Sequence, residues 1–256
     1  MKPVQATAAA QVKTVLFGTV SAIAALSLSA CATGAARNPD DPYEDFNRSM
    51  FEFNDGLDKA VIEPVAKGYR AVTNEPIRGG VNNFVNNLGE PVTFANEVLQ
   101  GKVGNAAGTV GRFLLNTTVG IVGIFDPASA IGIKRTDEDF GQTLGVWGVG
   151  TGPYLVLPLL GSTNPRDLFG LGADAAMNPI NYAEFEKDDA TRVGLAALGG
   201  LAAREDAIET IDDVRTQVDP YTTVRRFYVR SRAAAIGNYD PLPKDIEKVP
   251  DYELDF

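Results

Sequence analysis

The sequence predicts an all-α protein, and three observations carry that reading. Apolar residues recur at three- and four-residue spacing through most of the chain, the period of one helical face. The stripes are bounded by recognisable helix stops, Pro and Gly above all. The exception is one long uncharged segment too rich in glycine and proline to form a continuous helix. Composition agrees with a folded domain: 256 residues, 45% hydrophobic and 22% charged.

The first element is a processing signal. Lys2 and Lys13 make a basic start, and Thr14 to Ala30 is then uncharged and mostly Val, Leu, Ile, Ala and Ser. This is a signal-peptide apolar region, too short for a typical membrane span. It ends in Leu28-Ser29-Ala30-Cys31, which resembles the bacterial lipobox. The resemblance implies acylation of Cys31 and cleavage before it, with residues 1–30 removed. Two or three acyl chains give lasting anchorage, at roughly 0.8 kcal/mol per buried CH₂. Ala32 follows where Asp would imply retention at the inner membrane, so the outer membrane is expected. Residues 31–41 read as a tether.

Asp41 is a good N-cap, with Pro42 at the first helical position. Tyr43, Phe46, Met50, Phe53 and Leu57 then fall on one face, widened by Phe51. A core-facing helix and a helix lying in a bilayer interface both fit this stripe, though the polar face lacks lysine. Pro64 to Gly80 reads as a connector with a short helix. Val81, Phe84, Val85 and Leu88 form a second stripe, stopped by Gly89-Glu90-Pro91. Val92, Ala95, Val98 and Leu99 form a third, with Phe94 beside them and Gly101 as its stop. Val103, Ala106, Ala107, Val110, Phe113, Leu114 and Thr117 form a fourth.

Phe140 to Pro165 holds 26 residues without a charge, six of them glycine and three proline. Such backbone survives at membrane depth only where protein buries it or where it lines a cavity. Asp137-Glu138-Asp139, just before it, reads as a solvated turn. Ala202 to Val218 is a charged helix ended by Asp219-Pro220. Tyr221 to Ala235 carries Arg225, Arg226, Arg230 and Arg232, either an ordinary surface or a face for lipid phosphates or a partner's carboxylates. From Asp240 the chain is acidic and Pro-rich, and residues 241–256 read as a tail.

Much chemistry is excluded. The chain has no histidine and one cysteine, so histidine-based catalysis, an internal disulfide and a Cys-based zinc site are all ruled out. A net charge of −10 makes nucleic acid a poor partner. Gly148-Val149-Gly150-Thr151-Gly152 lacks the spacing of a dinucleotide loop, and no P-loop lysine follows.

Several blocks, taken in order, resemble the MlaA (VacJ) family of outer-membrane lipoproteins. They are Asp41 to Asn54, Asn83-Phe84 with Glu90-Pro91, Arg112 to Thr117, Phe140 to Pro158 with Gly161-Ser162 and Arg166-Asp167, and Asp219-Pro220-Tyr221. The match implies a helical domain over residues 42–240, arranged as a ring or disc around a central channel, with a Gly/Pro-rich apolar hairpin. It implies no cofactor, no metal and no catalytic group. It implies removal of mislocalised phospholipid from the outer leaflet and transfer to a periplasmic carrier. The implied partners are phospholipid, the outer membrane, a trimeric porin, that carrier and, indirectly, an inner-membrane ABC transporter complex.

Within that frame the hairpin is expected over Phe140 to Pro158. Gly145, Trp147, Val149, Gly150, Gly152, Pro153, Tyr154, Leu155 and Leu157 are its expected channel-lining and lipid-binding residues. Phe46, Met50, Phe53, Leu57, Phe84 and Phe94 are expected to face the membrane. Two alternatives belong to other classes: a lipoprotein that only tethers a partner, and a lipid-modifying enzyme.

Overall fold

The computed structural model of the protein describes residues 38–183 and 188–237. The signal peptide, Cys31, most of the tether and the tail lie outside the described residues. The chain divides into two units between Tyr43 and Glu44. In the first, the described residues turn on Asn38, whose carbonyl accepts from Asp41 N and whose Oδ1 accepts from Asp40 N. The first helix begins at Glu44, three residues after Asp41.

The second unit is predominantly helical. Helix α1 (Glu44–Leu57) runs through a π-helical turn (Asp58–Ile62) into α2 (Glu63–Val72). Pro64 follows the π turn directly, where Glu63 N–H reaches back to Asp58 O, so residues expected as a connector continue the helix. Asn74 caps α3 (Glu75–Leu99), its Oδ1 accepting from Ile77 N at 3.0 Å. Helix α3 passes straight through Pro91. The expected stop at Gly89-Glu90-Pro91 is overridden by tertiary packing along α4 (Val103–Thr118), to which buried Glu90 is salt-bridged through Arg112. The stripes read as two helices are one. Gly101 does follow the end of α3, with φ +75°.

A short helix α5 (Pro127–Ala130) is capped by Asp126. Helix α6 (Phe140–Val146) is capped by Asp139, and leads to the strands β1 (Leu155–Leu157) and β2 (Gly161–Thr163). These pair antiparallel, Val156 opposite Ser162. The expected hairpin thus begins as a helix and turns only over residues 155–163. Helices α7 (Pro165–Met177), α8 (Asp188–Asp206), α9 (Ile208–Arg215) and α10 (Pro220–Gly237) complete the unit. The single helix expected over Ala202 to Val218 breaks at Ala207 into α8 and α9.

Side-chain amides do the work of a missing strand. Asn47 is fully buried on α1; its Nδ2 donates to Tyr154 O at 3.1 Å and its Oδ1 accepts from Val156 N at 2.8 Å. Asn54, two turns along the same helix, donates to Leu157 O and accepts from Leu159 N. Both amides mimic a peptide group and close the free edge of β1. Tyr154 and Val156 are then held against Tyr221 of α10, with Met50, Phe51 and Tyr228 around them.

Elsewhere the interior is polar. Arg112 is buried and donates to Asp126, Ser129 Oγ and Ile133 O, at 2.9, 3.0 and 2.6 Å. Arg232 of α10 bridges Asp139 and Asp167. Arg204 and Arg215, from α8 and α9, meet Asp58 and Glu63 around the π turn. Arg48 grips Asp219 through both guanidinium ends and lies 4.4 Å over the Tyr221 ring.

Burial pushes the Asp126 carboxyl up, but the Ser129 hydroxyl and N–H, the Arg112 guanidinium and the Asn116 amide outweigh it and bring it to about 2. A carboxylate lowered in the folded state stabilises it above its unfolded pKa, near 3.9, and loses that contribution as pH falls through the folded value. Urea midpoints should accordingly drop between about pH 4 and pH 2. Asp126→Asn should start lower at pH 7 and flatten that drop, which a pH series of unfolding curves would measure.

Candidate functional site

Burial in the second unit runs opposite to that of an ordinary soluble domain. The buried apolar residues are mostly alanines, while Asn47, Asn96, Glu97, Arg112 and Thr143 are among the most enclosed side chains. Large apolar side chains stand outside: Phe53 and Val65 on the first two helices, Val98 and Leu99 on α3, Leu114 on α4, and Leu168 and Phe169 on α7. The segment after α4 exposes Val119, Ile121, Val122, Ile124 and Phe125 in succession. Single exposed apolar residues are normal, but exposure on this scale marks a surface that meets another apolar medium. No described helix is long and apolar enough to cross a membrane.

Two open cavities flank the α6–α7 pair. The first, about 420 Å³, lies between α3, the segment around residue 135, and α7. Val85, Val92 and Leu171 supply its apolar wall; Asn86, Thr93, Asn178 and Asn181 supply neutral polar groups, and Arg135, Asp137 and Asp174 the charges. The second, about 410 Å³, is formed by Leu144, the loop Val149-Gly150-Thr151-Gly152, and Pro165, Arg166 and Phe169 of α7.

A polar framework fixes both. Buried Asn96 donates to Asp174 Oδ1 at 2.9 Å and accepts from Thr143 Oγ1 at 2.8 Å, tying α3 to α6 and α7. Phe140 N at the start of α6 donates to both Asp174 oxygens. Burial raises the Asp174 carboxyl, offset in part by those two donors. Gln100 and Lys102 bind Glu138 from the end of α3. The run Asp137-Glu138-Asp139 is therefore no solvated turn: only Asp137 lies open, while Glu138 is buried in an ion pair and Asp139 caps α6 and holds Arg232. For the same reason Arg232 leaves the expected basic face and becomes structural.

The second cavity brings together three expected lining residues, Val149, Gly150 and Gly152. Gly152 needs to be glycine: its φ is +71°, and a Cβ would meet the Pro165 ring at 3.1 Å. Val149 is 46% exposed and Trp147 53%. Trp147 donates from Nε1 to Leu99 O at 3.1 Å and stands edge-on to Phe140, which leans on Phe169. Gly145 turns away, packed so closely on Ile236 and Arg166 that a side chain has no room. Pro153 is half-buried, as are Leu155 and Leu157 on β1. Tyr154 is the plainest correction: it is buried, its hydroxyl 2.7 Å from Ser162 Oγ, and it packs the core instead of presenting a polar tip.

The expected membrane-facing stripe also divides. Phe53 and Phe94 are exposed, Phe46, Leu57 and Phe84 are half-buried, and Met50 packs against the Tyr154–Tyr221 core. Sequence reasoning missed Leu144, Thr151, Pro165, Arg166 and Phe169 in the second cavity and the whole of the first. Arg166-Asp167 stood in a quoted motif, and Asn164-Pro165 marks a helix start, which together could have placed α7 beside the loop.

The MlaA lipoprotein family model matches residues 39–235. The chain belongs to the MlaA lipoprotein family. It is 36% identical over 247 residues to the intermembrane phospholipid transport system lipoprotein MlaA of Haemophilus influenzae, covering 93% of this chain and 96% of that one. It is 37% identical over 192 residues to the MlaA of Escherichia coli, covering 73% and 75%. An uncharacterised protein of Rickettsia typhi is 40% identical over 198 residues, covering 77% and 78%. A solved structure concerned with the structural basis for maintenance of bacterial outer membrane lipid asymmetry superposes with a TM-score of 0.69 at 34% identity. It covers 78% of this chain and all of that one. The MlaA fold is thus predominantly helical here, with a single two-stranded sheet among the described residues.

Proposed function

We propose that this protein removes mislocalised phospholipid from the outer leaflet of the outer membrane and passes it inward, keeping that membrane asymmetric. The observation that carries the reading is the inverted burial: a polar, ion-paired interior with many large apolar side chains left exposed around it. Such a body is stable with its rim among acyl chains, and with no described spanning helix it lies within one leaflet. Lipidated Cys31 supplies the anchor on the periplasmic side. A ring or disc of helices around a central channel gives a lipid head a polar way through, and the glycine-rich loop at the second cavity forms one wall of it. Nothing in this transfer makes or breaks a covalent bond, so the protein works without a catalytic group or cofactor. A trimeric porin holds it at the outer membrane, a periplasmic carrier takes the lipid, and an ABC transporter complex at the inner membrane receives it.

The test is outer-leaflet phospholipid, measured with a surface-restricted enzyme or dye in cells lacking the gene. Deletion should raise it, and a wild-type copy but not Cys31→Ala should restore it. Val149→Asp should also fail to restore it, while the protein keeps its abundance and melting behaviour. Val149 is exposed, so a charge there costs little folding free energy but places a fixed anion on the wall of the passage, where it repels a lipid phosphate. No rise on deletion would favour the tethering role. Normal asymmetry with Val149→Asp would remove the loop from the passage.

A further inference from the structure

We propose that the first cavity seats a zwitterionic phospholipid head group, a phosphate carrying a tethered primary ammonium, with Arg135 facing the phosphate and Asp137 and Asp174 facing the ammonium. This rests on the lipid-transport reading and adds the head-group class. The cavity holds one guanidinium and two carboxylates, with Asn86, Asn178 and Asn181 as neutral donors and acceptors. A planar guanidinium suits phosphate oxygens, and two carboxylates against one cation leave a net negative site. That balance favours a head that brings its own positive charge and disfavours one that is anionic overall.

The partners within the chain leave room for such a ligand. The only described bond of Arg135 is from Nη2 to Asp137, an exposed pair at the rim. Asp174 accepts only from the neutral donors Asn96 and Phe140 N, and no described guanidinium or lysine is paired with it. A half-buried carboxylate met only by neutral donors is better satisfied when a cation arrives.

The acyl chains have a path. Helix α7 joins the two cavities: Leu171, Asp174 and Ala175 line the first, and Pro165, Arg166 and Phe169 line the second. Between them Leu168 and Leu171 stand exposed one turn apart. From Pro165 to Ala175 the helix rises about 15 Å, half the thickness of a bilayer hydrocarbon core. A single lipid can therefore lie with its head in the first cavity and its chains along α7 into the second.

The experiment uses the full lipidated protein in detergent, exposed to mixed micelles of equimolar phosphatidylethanolamine and phosphatidylglycerol. Bound lipid is counted by mass spectrometry after repurification. The wild-type protein should retain phosphatidylethanolamine over phosphatidylglycerol by about fivefold, the scale of one charge contact. Asp137→Lys, at an exposed position, should reverse the preference without changing the melting temperature. Asp174→Asn should abolish it. Lipid bound without head-group preference, or a preference unmoved by Asp137→Lys, overturns this inference and leaves lipid transport standing. Retention of neither lipid would overturn the transport reading as well.

Discussion

Replacing Arg112 with Met should cost about 3–5 kcal/mol of folding stability, the penalty of removing one partner from a buried ion pair. The arginine side chain is 3% exposed and that of Glu90 2%. Its guanidinium also reaches Asp126, Ser129 Oγ and Ile133 O, so one substitution leaves two carboxylates and two neutral acceptors without their donor. The lost energy is mainly the desolvation of the buried Glu90 carboxylate, since Asp126 keeps Ser129 and Asn116, and not the worth of the pair itself. Burial already raises the Glu90 carboxyl, and losing the Arg112 guanidinium that holds it down should raise it further. A thermal melt should show Tm lower by roughly 10 °C for a domain of this size. The double variant Arg112→Met with Glu90→Gln should recover part of the loss, because it removes a charge along with its partner. If the single variant melted within about 1 °C of wild type, the polar interior would be incidental to stability.

The same interior explains what the sequence could and could not reveal. Helices α4 and α10 were legible because their information is local: an apolar period after a stop, Gly101 for α4 and Asp219-Pro220 for α10. Pro91 misled because a proline's cost is local while its compensation is not; Glu90 finds Arg112 on another helix, 22 residues away. Pro64 misled in the opposite sense, since a first-turn proline and a helix-ending proline look alike in sequence. The break at Ala207 carries no such signal, for neither Gly nor Pro marks it. Helix α6 carried a readable one, Asp139 followed three residues later by Gln142. The Asp139 carboxylate accepts from Gln142 N, one half of a capping box, and also from Gln142 Nε2.

The cavities were only partly legible for a related reason. The loop Val149 to Gly152 stood out by composition, and it does line a cavity. The charges of the first cavity come from two separate segments, and no spacing rule joins Arg135 to Asp174. Burial ran against ordinary expectation too. Periodicity locates an apolar face but is silent on whether core or lipid covers it, so Met50 and Phe53, three residues apart, take opposite sides.

Both cavities depend on how closely α6 and α7 approach, and Gly170 sets that distance. A Cβ placed there would lie 2.4 Å from Gly141 N and 2.8 Å from Gly141 Cα, both backbone atoms of α6. Neither can move aside as a flexible side chain could, so the helices must separate or the fold must strain. Gly170→Val should therefore destabilise by about 1–3 kcal/mol or more, the range for overpacking a tight core. Its effect on transport should exceed that of its effect on stability. Separation would draw Phe140 N away from Asp174 and shift Asp139 and Asp167, which Arg232 clamps together from α10. Both cavity walls would then change shape at once. Gly172, on the same helix with open space around it, is the control: Gly172→Ala should leave stability and outer-leaflet phospholipid close to wild type. If Gly170→Val at matched abundance restored asymmetry as fully as Gly172→Ala, the α6–α7 contact would be a packing detail and lipid would pass elsewhere in the molecule.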